Sequence, residues 1–137
     1  MQSSNPRFLE LLRVLTRHRV DFIVVGGVSA VLHGAPVTTF DLDVVHARNP
    51  DNVARLLSAL DELEAVYRAP VELLLTKFGP LDVLGMIGKS RAWEDLYSHT
   101  RVFEIEPGVP VRVLDLEMLI AIRKNWDFRR MSQCCRS

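Results

Sequence analysis

Cysteine is nearly absent: Cys134 and Cys135 are the chain's two, and they are adjacent near the C-terminus. Neighbouring cysteines suit neither a disulfide framework nor a zinc site, so two reduced thiols in a mobile tail are expected. Long apolar runs are missing too. No stretch approaches the ~20 residues of a membrane span, and Met1 to Arg7 is too polar for a secretory signal. A cytoplasmic protein with no membrane partner is the expectation. Net charge is also lacking, since 17 basic and 17 acidic residues cancel. The chain gains little from bulk attraction to nucleic acid or an anionic surface, so a nucleic-acid partner would have to be held locally. What remains is 137 residues, enough for one domain that buries roughly two-thirds of its unfolded surface.

Period and punctuation predict the elements. Asn5 and Pro6 supply a cap and a first-turn proline, and Phe8, Leu11, Leu12 and Leu15 then recur on one helical face. Val20 to Val25 is short, β-branched and aromatic, and it stops at Gly26-Gly27, as a buried strand would. A brief helix over Val28 to His33 ends at Gly34, Ala35-Pro36 turns, and Phe40 to His46 forms a second strand. Asn49-Pro50 starts another helix, with Val53, Leu56, Leu57 and Leu60 at helical spacing. Glu72–Lys77 and Leu81–Met86 flank Gly79-Pro80 as a hairpin, and a second hairpin joins Arg101–Ile105 to Val111–Leu114 across Pro107-Gly108. Asp115 then caps a final helix with Leu116, Leu119 and Ile120 inward. There is no internal repeat, low-complexity tract or linker. The expected class is α/β (α+β), a mixed β-sheet with flanking helices.

Three acids fall on these strands. Asp41 and Asp43 alternate with Phe40, Leu42 and Val44, so both carboxylates leave one face of the second strand. Their Cα atoms would lie about 7 Å apart, and at an effective dielectric near 20 the charges repel by roughly 2–3 kcal/mol. Solvent, a raised pKa, a basic partner or a divalent cation must offset that. A solvated edge or turn is the bland alternative. Asp82 lies inside another apolar strand, either on an exposed edge paired with Lys77 or beside Asp41 and Asp43 as a third metal ligand or a base. Gly26-Gly27 has two explanations as well. It relieves crowding at a tight turn, or it lets a triphosphate approach backbone N–H groups. His33, His46, Trp93 and Trp126 are assigned no role in chemistry.

The segment from Val24-Val25-Gly26-Gly27 to Ala35-Pro36, continuing through Thr39-Phe40-Asp41-Leu42-Asp43-Val44-Val45, resembles the signature of the DNA polymerase beta-like nucleotidyltransferase superfamily. The likeness is nearest to small prokaryotic AbiEii-like proteins and minimal nucleotidyltransferases, some of which are toxin or antitoxin components. Phe78 to Leu84 resembles the family's third-carboxylate strand, and Asp115 to Lys124 resembles its late helix. The resemblance implies a nucleotidyltransferase-like domain over residues 1–124 and two-metal transfer from an NTP, with ATP the expected donor. Asp41, Asp43 and Asp82 would hold Mg²⁺ or Mn²⁺ and carry catalysis. Gly26, Gly27, Ser29 and Lys124 would bind the nucleotide, and a toxin or antitoxin protein would be the partner.

The sequence departs from that family pattern in three places. Gly26-Gly27 stands where Gly-Ser is common, Val37 stands where many relatives carry an arginine, and residues 125–137 lack the usual helical pattern. That tail is expected to be truncated or frame-shifted. Three function classes follow: a transferase to a protein, RNA or small-molecule hydroxyl; a catalytically weak binding or antitoxin subunit; and a metal-dependent phosphohydrolase.

Overall fold

The computed structural model describes residues 7–36, 41–68, 73–88 and 90–122. The elements are α1 (Phe8–Arg17), β1 (Phe22–Val25), α2 (Gly26–Leu32), β2 (Leu42–His46), α3 (Pro50–Glu62), β3 (Val66–Arg68), β4 (Leu73–Thr76), β5 (Gly79–Leu84), β6 (Met86–Ile87), β7 (Arg91–Ala92), α4 (Trp93–Leu96), β8 (Thr100–Glu106) and β9 (Val109–Leu114). A further helix, α5, occupies residues 116–122. The expected cap at Asn5-Pro6, Val37, Phe40, Lys124 and residues 125–137 lie outside the described residues.

Seven strands form one mixed sheet in the order β3-β4-β5-β2-β1-β9-β8, and β6 and β7 make a separate ribbon. β1 runs antiparallel to β2, whereas β2 with β5 and β1 with β9 are parallel. The mixed sheet with flanking helices is thus as expected. Because side chains alternate along each strand, the sheet has two apolar faces. On one, Leu42, Val44, Val24 and Leu81 pack with Leu11, Leu15, Leu56 and Leu63 of the α1 and α3 regions. On the other, Ile23, Val25 and Val45 pack with Ala30, Leu96 and Leu119 from α2, α4 and α5.

Several boundaries differ from the sequence expectation. β1 begins at Phe22, not Val20, and α2 takes in both glycines instead of starting at Val28. The first hairpin turns at Lys77-Phe78, where Thr76 Oγ1 donates to the Gly79 carbonyl at 2.7 Å and accepts from the Phe78 N–H at 3.1 Å. Gly79-Pro80 therefore opens β5. Pro80 has no N–H to give, and the pairing of β5 with β2 begins one residue later, at Leu81. Two helical stripes are also rotated. Leu57 is exposed while Asn52, Leu56 and Ala59 face inward, and on α5 Leu116 and Ile120 are exposed while Leu119 is buried. The short elements β3, β6, β7 and α4 carry too little period to be read from sequence.

Asn52 does what no periodic rule predicts for a polar residue: it is fully buried. Its side chain accepts from the Asp21 N–H at 2.7 Å and donates to the Asp21 and Ala47 carbonyls at 3.0 and 2.8 Å. It thereby ties the start of α3, capped by Asn49, to the chain leading into β1 and out of β2. Asn52→Ala would strand those backbone groups, so a loss of about 2–4 kcal/mol is expected, read as a lower urea midpoint with the slope unchanged.

Candidate active site

β2 lies at the centre of the sheet, and its register decides where the acids meet. Asp43 is opposite Val25 on one side and opposite Asp82 on the other, with neighbouring strands about 4.8 Å apart. Val25, Val45 and Leu84 belong to the apolar cluster under α2, α4 and α5, so by alternation Asp43 and Asp82 emerge on that face. Asp41 stands one residue before β2 and is half-buried. β5 lies between β4 and β2, so Asp82 is not on an edge. Lys77, its suggested partner, instead lies 4.0 Å from Glu64. Asp43 and Asp82 thus stand side by side on adjacent strands, with Asp41 two residues before Asp43.

Gly26 completes the group. It has φ +68°, and a Cβ added there would fall on Asp43 Oδ2 and stand 3.2 Å from Asp43 Cγ. The glycine at the end of β1 therefore makes room for a carboxylate. This contact gives Gly26 a role that the sequence reading, which weighed turn crowding and phosphate approach, did not foresee. No local pattern marks it, because the two residues meet only through the β1–β2 register.

Electrostatics mark the cluster as short of positive charge. Burial pushes the Asp43 carboxyl up to about 7, and the charge of Asp41, a hydrogen bond with Asp41 and the charge of Asp82 push the same way. Asp82 is also raised, by burial first and by Asp41 second. Asp43 Oδ1 is closed off from solvent and has no hydrogen-bond partner among the described residues. Among the described residues no three acidic, histidine or cysteine side chains close tightly enough to hold a metal ion alone. The donor set nevertheless fits a hard divalent cation that takes its other oxygens from phosphate or water: it offers carboxylates, an orphaned oxygen and an excess of negative charge.

Two other candidates go elsewhere. Ser29 is fully buried, and its hydroxyl donates to the Leu114 carbonyl at 3.2 Å. It pins α2 to the end of β9, which corrects its expected place on a nucleotide. His33 Nε2 meets the same carbonyl at 2.8 Å, with its ring edge-on to Phe103. Gly27 follows Gly26 in the first turn of α2.

No protein-family model matches the chain, and no curated protein does. Solved structures do match. A protein of Thermotoga maritima provisionally called a nucleotidyltransferase superposes with a TM-score of 0.70 at 17% identity, covering 94% of this chain and 88% of its own. The fold is that of the nucleotidyltransferases. Two structures of the antibiotic-resistance factor ANT(2″)-Ia agree. One, in solution, has a TM-score of 0.55 at 15% identity, covering 92% of this chain and 70% of that one. The other, a crystal structure with adenylyl-2″-tobramycin, has a TM-score of 0.57 at 14% identity, covering 92% and 74%. No described helix is long and apolar enough to cross a membrane.

Proposed function

We propose that this chain is a divalent-cation-dependent nucleotidyltransferase that moves a nucleoside monophosphate from an NTP to a hydroxyl. The observation that carries the reading is the register of Asp43 beside Asp82, with Gly26 open against Asp43. Asp41, Asp43 and Asp82 would hold the cation, which when bound supplies charge neutralisation for the triphosphate. The acceptor oxygen bonds to the α-phosphorus as the bond to pyrophosphate breaks, and pyrophosphate leaves. In the alternative to holding the cation, Asp82, its carboxyl raised from its ordinary value by burial and by Asp41, would take the acceptor's proton. Gly26 and Gly27 would offer backbone N–H groups to phosphate, and Lys124 would add a positive charge.

In the finer reading the cation is Mg²⁺, the donor is ATP and the protein is a cytoplasmic member of a toxin–antitoxin pair. Sequence resemblance alone supports the last of these. The neighbour in complex with adenylyl-2″-tobramycin supports a small-molecule hydroxyl among the acceptors, alongside protein and RNA.

The test is transfer of label from the α-phosphate of an NTP to an acceptor. Transfer should require a divalent cation and vanish in Asp41→Ala and Asp43→Ala; unchanged transfer in both variants sinks the assignment. Free labelled nucleotide with no labelled acceptor would assign the acids to hydrolysis instead. Cation affinity should also fall as pH drops below about 7, because a proton on Asp43 competes with the cation. Titration of Mn²⁺ at pH 6 and pH 8 reads this directly, and equal affinities would contradict it.

A further inference from the structure

At the opposite end of β1 from Gly26 the protein has a cavity of about 260 Å³ lined by Thr16, Arg19, Val20, Asp21, Phe22, Trp93, Pro110 and Arg112. Its volume equals the share of roughly nine waters at about 30 Å³ each, room for a small ring with a substituent. The polar lining is dominated by hydrogen-bond donors. Arg112 is oriented in advance, its guanidinium 4.2 Å from the Tyr97 ring centroid and one N–H given to Thr100 Oγ1 at 2.9 Å, which leaves most of its five donors without a partner among the described residues. The Arg19 guanidinium forms no ion pair among the described residues, while the Asp21 carboxylate pairs with Arg55 at 3.6 Å.

Two more observations bear on this cavity. Arg19 stands two residues past α1 at φ 60°, the left-handed position of the helix's C-terminal cap, where the Val20 N–H reaches the Leu15 carbonyl at 3.1 Å and glycine is the favoured residue. Moreover, two lining residues carry buried donors with no hydrogen-bond partner among the described residues, Thr16 Oγ1 and Trp93 Nε1. An oxygen seated against them would give each a partner.

We infer that this cavity binds a small organic oxyanion, a phosphate ester or carboxylate on a flat apolar body, at a site separate from the acids. Arg19 and Arg112 grip the anion, since the guanidinium fork suits both oxyanions, and Phe22, Trp93 and Pro110 receive the body. The cavity and the carboxylates share β1, which runs from Phe22 at the one to Val25 beside the other.

The test uses the full-length ¹⁵N-labelled chain in EDTA, so that no cation engages the acids, and follows the Trp93 indole N–H signal, identified by its loss in Trp93→Phe. Phenyl phosphate, benzoate and inorganic phosphate are the probes. The signal should move saturably with at least one organic anion and less readily with inorganic phosphate. Tighter phenyl phosphate names phosphate esters, and tighter benzoate names carboxylates. Arg19→Gly should fold at least as stably, because it relieves the left-handed strain, yet bind at least tenfold more weakly. Asp43→Asn should bind undiminished, which separates this site from the nucleotide reading. No saturable movement with any probe, or equal affinity in Arg19→Gly, overturns the inference.

Discussion

Gly26→Ala should be the most damaging single methyl in the molecule, lowering stability by about 2–4 kcal/mol and nucleotidyl transfer at least a hundredfold. Two costs add. Alanine resists the φ of +68°, at about 1–2 kcal/mol. Its Cβ would also land on the Asp43 carboxylate, so Asp43 must turn or β1 must separate from β2. Neither shift is cheap beside a strand whose Leu42, Val44 and Val45 are fully buried. Gly34→Ala is the control. Its φ is +96° but nothing lies within 4 Å of an added Cβ, so it should lose stability without losing the site. Urea denaturation and transfer assays on both variants separate strain from collision: equal activity loss in the two would show that the Gly26–Asp43 contact is not what matters.

Asp43→Asn should have opposite effects on stability and function. In the folded, metal-free protein the Asp43 carboxyl is held up to about 7, mainly by burial and then by Asp41, whereas an unfolded chain ionises it near 3.9. A raised carboxyl means that the folded state binds more protons across that window. Its stabilising contribution is therefore complete below about pH 4 and is lost as pH rises through about 7. At pH 8 the wild type carries a buried negative charge that asparagine lacks, so the variant should be more stable there by on the order of 2 kcal/mol, roughly 5–10 °C in Tm. At pH 4 the two should nearly coincide. Mg²⁺ should narrow the gap by stabilising only the wild type, while transfer activity in the variant disappears. Thermal melts at pH 4 and pH 8, with and without cation, check every sign; a variant less stable than wild type at pH 8 would contradict the account.

The candidate site is legible in the sequence where it rests on alternation, and hidden where it rests on pairing. Asp41-x-Asp43 on a strand, with Asp82 on another, can be read from period two alone. That Asp43 and Asp82 stand in direct register, and that Gly26 opens onto Asp43, depends on β1, β2 and β5 being neighbours, which no local pattern states. Ser29 illustrates the converse. A hydroxyl just after a glycine pair suggests phosphate, but α2 lies against the sheet so that this hydroxyl reaches Leu114 of β9, some eighty residues later in the chain. The fold was readable at its strongly periodic elements, α1 and the β8–β9 hairpin. It was misread at Leu57 and at Leu116 and Ile120, because in α3 and α5 buried Asn52, Ala59 and Leu119 define the inner stripe. Asn52 could not be anticipated as core, since its burial depends on backbone groups of Asp21 and Ala47.

The central claim is that the carboxylates of β2 and β5, together with a divalent cation, receive a nucleoside triphosphate. Calorimetric titration of ATP at pH 8 into the wild type and Asp43→Asn, each with Mg²⁺ and with EDTA, tests it without knowledge of the acceptor. The account predicts binding by the wild type that requires Mg²⁺ and is weakened at least tenfold in the variant. Equal affinity in EDTA, or undiminished Mg²⁺-dependent binding by Asp43→Asn, would contradict it.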